Sequence, residues 1–195
     1  RVGGWVVEMV CREMRTLKNQ GFPKIKVAVN VSAFQCRHGK HLAEVICKAL
    51  AEYQYPAKLL ALELTESILI DDTKETLKVL NAMRDLDITL AIDDFGTGYS
   101  SLSYLKKFPI DILKIDQSFI RDITTDMSDK AIVSAIIAMA KQLEIDVLAE
   151  GVETLEHQAF LQSQGCDYVQ GYLYCRPIPA DELFSRWQKK ELTTG

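Results

Sequence analysis

No apolar run in the sequence approaches the about 18 residues that a membrane span requires, so this segment is expected to be soluble and to make no membrane contact. Histidine is scarce: the three residues at 38, 41 and 157 form no HExxH or HD pair, which removes the common zinc-hydrolase signatures and leaves solvated histidines as the expectation. The five cysteines, at 11, 36, 47, 166 and 175, are odd in number and include no CxxC pair. That pattern argues against a disulfide framework and points to reduced, mostly buried thiols in a cytoplasmic domain. Positive charge is not in excess either, with 23 Lys and Arg against 27 Asp and Glu, a net charge of -4. The chain therefore has no global field for long nucleic acid. Low-complexity linkers, heptad arrays and composition breaks are absent as well, and residues 1–195 are read as a single domain.

What the sequence does contain is an alternation of short apolar runs with longer stretches of helical period, the pattern of repeated βα units around a parallel sheet. The expected strands are KIKVAVN (24–30), LLALE (59–63), ITLAID (88–93), IDILKID (110–116), IDVLAE (145–150) and DYVQGY (167–172). Helices are expected between them, over 40–53, 73–86, 101–107, 129–143 and 154–164, with one before the first strand (5–20) and one after the last (180–190). Each strand ends in a polar or charged residue: Asn30, Glu63, Asp93 with Asp94, Lys114, Glu150 and Gln170. Parallel strands present their carboxyl ends on one face, so these side chains converge in a TIM-like (β/α)8 barrel. An open doubly wound sheet would gather fewer. Only six parallel units are present, and the expectation is that one or two N-terminal strands are missing.

The stretch AIDDFGTGYSS (91–101) puts two adjacent aspartates directly before a glycine-rich turn. It lacks the third glycine of a dinucleotide fingerprint and the GK[ST] of a phosphate loop, and no HRD or VAIK-like segment accompanies its DFG. Crowded carboxylates need positive charge beyond one lysine. Asn30, Glu63, Asp93, Asp94 and Glu150 offer only oxygen, which suits Mg2+ or Mn2+ and argues against zinc. Adjacent aspartates suit a pair of metal ions acting on a phosphodiester, so hydrolysis by metal-activated water is expected. Lys114 then orients or deprotonates the water, and Gln170 hydrogen-bonds it. The competing reading makes Lys114 a structural ion pair, Asn30 a turn residue and the Glu150–Glu153 segment ordinary helix entry. Glu66 is expected to anchor the Gly96-Thr97-Gly98 turn, a gate over the site, or else to be a solvated helix-entry acid. Trp5, Tyr53, Tyr55 and Trp187 are expected to pack, and Arg176-Pro177 either contacts ligand or stops the last strand.

As a set, NVSAFQ (30–35), ELTES (63–67), DDFGTGYSSLSYL (93–105), KID (114–116), AEGVET (149–154) and GCDYVQGYLYCRP (165–177) resemble the EAL-domain family of bacterial cyclic di-GMP phosphodiesterases, from residue 3 to residue 185. The resemblance implies a TIM-like barrel, often a homodimer, that opens cyclic di-GMP to linear pGpG with Mg2+ or Mn2+ and is inhibited by Ca2+. By motif it makes Asn30, Glu63, Asp93 and Asp94 metal ligands, with Glu150 in the metal and water cluster. Lys114 becomes the catalytic lysine, Gln170 the water-holding glutamine, Glu66 the gate anchor and Glu153 a supporting acid. The Glu-Ala-Leu motif that names the family does not occur in these residues, in keeping with a domain truncated at its N-terminus. The other reading is a receptor that holds cyclic di-GMP without cleaving it.

Overall fold

A computed structural model of the chain describes residues 2–37, 39–70, 74–98 and 105–189. Six strands, β1 (Val27–Val31), β2 (Leu60–Thr65), β3 (Thr89–Phe95), β4 (Ile112–Ile115), β5 (Asp146–Ala149) and β6 (Tyr168–Val169), form one sheet. They lie side by side in chain order, and every neighbouring pair is parallel. Helices Gly39–Tyr53, Lys74–Asp85, Met127–Gln142 and Leu155–Gln164 connect them, giving an α/β fold in the form of a partial TIM-type barrel. Of the helix expected over 101–107, residues 101–104 fall outside the described residues, as does His38.

Alternation along the strands sorts the side chains. Val29, Leu62, Leu64, Leu90, Ile92, Leu113, Ile115 and Val147 are buried under the helical layer. The alternate positions carry small residues, Ala61 and Ala91, and then the polar strand ends. Helix entries are fixed by side chains at their caps. Asp126 accepts from the amides of Ser128 and Asp129, and Thr154 accepts from that of His157. Trp187 of the last helix (Ala180–Gln188) packs edge-on against Phe22, with ring centroids 5.2 Å apart.

Four expectations are corrected. The sixth strand is two residues long instead of six, because the chain turns at Gly171 against the backbone of Val152. His157 is buried, since it sits in the first turn of its helix facing the core. Cys47 is exposed on the outer face of its helix, while Cys11 and Cys36 are buried and Cys166 and Cys175 lie between; desolvation pushes the Cys36 thiol up to about 12. Trp5 is 60% exposed on the first helix and does not pack as expected, whereas Tyr55 is buried with its hydroxyl donating to the carbonyls of Ile25 and Leu59.

Candidate active site

Adjacent residues of a regular strand point to opposite faces, so Asp93 and Asp94 cannot both face the barrel mouth without a break in the pattern. The break is a β-bulge. Ile92 pairs with Leu113 and Phe95 with Ile115, so β3 spends two intervening residues where β4 spends one. Asp94 absorbs the extra residue in the left-handed region, at φ 55°, a conformation that aspartate tolerates better than most residues. The result is that one carboxylate oxygen each from Asp93, Asp94 and Glu150 lies within 4.8 Å of the others. The turn that follows is tied down on both sides. Thr97 donates its hydroxyl to the carbonyl of Asp94 at 2.9 Å. Glu66, only 6% exposed, accepts from the amides of Gly96 and Gly98, both at 3.1 Å. A Cβ on Gly98 would stand 3.1 Å from the Glu66 carboxylate carbon, a contact tight enough that the carboxylate would have to give by a few tenths of an ångström.

Lys114 is the centre of the cluster. Its ammonium is 2.7 Å from Asp93, 2.8 Å from Glu63 and 2.8 Å from Glu150, and its side chain is 4% exposed. Burial pulls its pKa down, but the hydrogen bonds to Asp93, Glu150 and Glu63 more than offset that and leave it above the ordinary lysine value. The lysine is thus held protonated. Burial raises the Glu150 carboxyl, with Lys114 opposing and Asp93 and Glu63 adding to the rise. Asp94 keeps solvent contact yet is also raised, by partial burial first and then by the charges of Asp93 and Asp116.

Asp116 is the residue that strand-end reading missed. It follows Lys114 by two positions, closing the expected strand 110–116 within the KID motif, with no role of its own assigned there. Burial alone would raise it, but donors from Ser118 and Gln117 and a hydrogen bond with Asp94 hold it below the usual carboxylate range. Asp94 and Asp116 are thus shifted in opposite directions, Asp94 up and Asp116 down. The spacing was the available signal, because residues two apart at a strand end share a face.

The other expected residues are placed as follows. Asn30 is exposed at the end of β1 and pairs in register with Glu63. Gln170 follows β6, and its amide donates to the carbonyl of Ala149 at 2.8 Å. Gln170 is among the residues lining a cavity of about 780 Å3, together with Lys26, Thr89 and Asp146. Glu153 is exposed beside the cap residue Thr154 and, among the described residues, joins none of the hydrogen bonds around Lys114. Arg176 and Pro177 are exposed, with the Arg176 guanidinium 4.3 Å from the centre of the Tyr172 ring. Because β6 ends at Val169, these two residues do not stop the strand.

The donor set fits a divalent cation. One ammonium is set against the carboxylates of Glu63, Asp93, Asp94, Asp116 and Glu150, and every ligand atom on offer is a hard oxygen. This arrangement has known counterparts. Residues 1–177 match the family model for the EAL domain. A Pseudomonas aeruginosa protein named cyclic di-GMP phosphodiesterase NbdA is 45% identical over 179 residues, covering 92% of this chain and 23% of that protein. The solved structure of the P. aeruginosa MucR phosphodiesterase in complex with cyclic di-GMP superposes with a TM-score of 0.86 at 42% identity, covering 93% of this chain and 73% of that one. BlrP1 of Klebsiella pneumoniae, solved with cyclic di-GMP and calcium or manganese, superposes with TM-scores of 0.82 and 0.77 at 33% and 34% identity, covering 91% and 88% of this chain and 44% of that one. The chain spans only 22% to 27% of the first curated relatives.

Proposed function

The chain belongs to the EAL-domain family, and from that premise we propose that it is the catalytic part of a phosphodiesterase that hydrolyses cyclic di-GMP to linear pGpG. The observation that carries this reading is the bulge at Asp94, which brings Asp93, Asp94 and Glu150 within 4.8 Å of one another beside the buried ammonium of Lys114. Asp93, Asp94, Glu150, Glu63 and Asn30 would hold Mg2+ or Mn2+, which when bound activates water and offsets phosphate charge. Lys114 is held protonated, so its role is to order the carboxylates and to stabilise negative charge on the phosphate. Gln170 orients the attacking water from the facing strand end. Glu66 holds the turn at Gly96, Thr97 and Gly98 over the site, and Arg176, braced on Tyr172, meets the substrate beside Pro177. Ca2+ would occupy the site unproductively, because its longer and looser coordination disturbs the in-line geometry.

A homodimer in the cytoplasm belongs to the same proposal; no helix among the described residues is long and apolar enough to cross a membrane. The test is incubation of the intact protein with cyclic di-GMP and Mg2+ or Mn2+, followed by chromatography. The expected product is pGpG, and Asp94→Asn is expected to lower turnover by about 100-fold or more with the melting temperature nearly unchanged, since Asp94 is exposed. Micromolar binding without product would overturn the enzyme in favour of a receptor. Full turnover by Asp94→Asn would remove Asp94 from the metal site.

A further inference from the structure

Beyond the charged cluster, the backbones of β4, β5 and β6 close up on one another just past the residues that carry the chemistry. Glu150 donates its amide to the carbonyl of Ile115 at 3.1 Å, and Gln170 donates to Ala149 at 2.8 Å. The contact then continues past the strands. Val152 donates to the carbonyl of Gln170 and receives the amide of Leu173 on its own carbonyl, both at 3.0 Å. Two glycines make this possible for different reasons. Gly151 stands at φ 71°, and a Cβ there would lie 2.6 Å from Cβ of Gln117, the residue after Asp116. A Cβ on Gly171 would collide with the backbone nitrogen and oxygen of Val152 and lie 2.7 Å from its carbonyl carbon. Main chain cannot swing aside as a side chain can, so any larger residue at 171 must push the two segments apart.

We propose that Gly151 and Gly171 are positioning residues that set the spacing between Asp116, Glu150 and Gln170. The inference rests on the phosphodiesterase reading for what the spacing serves. Gly171 locks Gln170 to the Glu150 segment, and Gly151 locks that segment to Gln117 and hence to the strand end carrying Lys114 and Asp116. Neither glycine touches the reacting atoms. Their effect passes through the placement of Glu150 among Asp93, Asp94 and Lys114, and through the placement of Gln170 at the cavity rim.

The experiment compares the intact wild-type protein with Gly171→Ala, Gly151→Ala and the pair Gly151→Ala/Gln117→Gly. Turnover of cyclic di-GMP, Mn2+ affinity by electron paramagnetic resonance and melting temperature are read on each. Gly171→Ala is expected to lose about 100-fold in kcat, as a displacement near 1 Å does, and about tenfold in Mn2+ affinity, with KM changing much less. Gly151→Ala falls between wild type and Gly171→Ala. Removing the Gln117 side chain is expected to restore Mn2+ affinity in part, because it relieves the contact while leaving the backbone strain. A Gly171→Ala protein with kcat and Mn2+ affinity within twofold of wild type overturns the proposal, as does one that loses only thermal stability. If Gly171→Ala fails to fold, the Gln117→Gly rescue decides, and absence of rescue counts against. Wild type that binds Mn2+ but makes no pGpG ends the phosphodiesterase reading, and the clamp is then judged on Mn2+ affinity alone. Wild type that does neither sinks both.

Discussion

The two ends of the sheet hold their acids in opposite ways. At the strand starts, Asp111 accepts the amide of Leu90 at 2.7 Å and Asp167 accepts the amide of Val147 at 2.9 Å. Each carboxylate serves the main chain of the neighbouring strand. At the strand ends, Glu63, Asp93 and Glu150 share one ammonium, that of Lys114, and the Asp94 carboxyl is raised by partial burial and by the charges of Asp93 and Asp116. An acid committed to a backbone amide is a structural brace. Acids that crowd around one cation keep lone pairs free and resist one another, which is the condition for taking up a metal ion. The same residue type thus braces the main chain at one end and crowds around a cation at the other, and the difference is the partner.

The strongest way to break this contrast is Lys114→Met. Removing the cation leaves buried acids uncompensated, and breaking such an arrangement costs about 3 kcal/mol. Loss of turnover is expected, together with a lower melting temperature that Mn2+ restores more in the variant than in wild type; calorimetry with and without the metal checks this. A variant as stable as wild type without metal would show that the cluster tolerates its own charge.

A change of pH sharpens the contrast with a smaller effect. Asp94 and Glu150 are both raised, so on acidification they regain protons at a higher pH than ordinary carboxylates do. Mn2+ affinity is therefore expected to fall on acidification at a higher pH than ordinary carboxylate ligands would give, because ligands must be deprotonated to bind. Linkage gives the opposite sign for folding. A folded-state pKa above the unfolded value means that the folded state binds more protons, so these two groups add stability to the metal-free protein as pH falls through that window. Asp116, which is lowered, withdraws its contribution only at lower pH. Titration calorimetry and denaturant melts across that window check both slopes.

The smallest effect belongs to the other end. Asp111→Ala removes one acceptor from the Leu90 amide and is expected to cost about 1 kcal/mol in urea melts with turnover unchanged. A loss of turnover as large as that of Asp94→Asn would dissolve the distinction between the two ends.

The sequence made much of this legible. Apolar interiors closed by polar residues located all six strands, and the shared strand direction located one face for Glu63, Asp93, Lys114 and Glu150, which the structure joins through the Lys114 ammonium. Two features needed coordinates. Nothing in DDFG states which of the two aspartates takes a left-handed backbone, since both tolerate it equally; the bulge is set by pairing with β4, a contact made across separate segments. The helix Gln117–Arg121 begins at Asp116, whose side chain caps it by accepting from the Ser118 amide. An acid that both caps a helix and faces the charged cluster reads in sequence as the ordinary end of a strand. The burial of His157 and the exposure of Trp5 were hidden for a simpler reason, because helical period does not say which face meets the core.

Strand order carries a consequence for assembly over time. With β1 to β6 side by side in chain order, each strand from β2 to β6 meets a neighbour that has already been made. The apolar layer over these six strands can therefore grow stepwise during synthesis. The charged cluster follows a different schedule. Glu63 and Asp93 emerge before any internal cation, Lys114 then joins them, and Glu150 and Gln170 arrive last. A nascent chain halted before residue 150 would have most of these six strands and an unfinished carboxylate cluster, so the sheet is laid down before the charged cluster is complete.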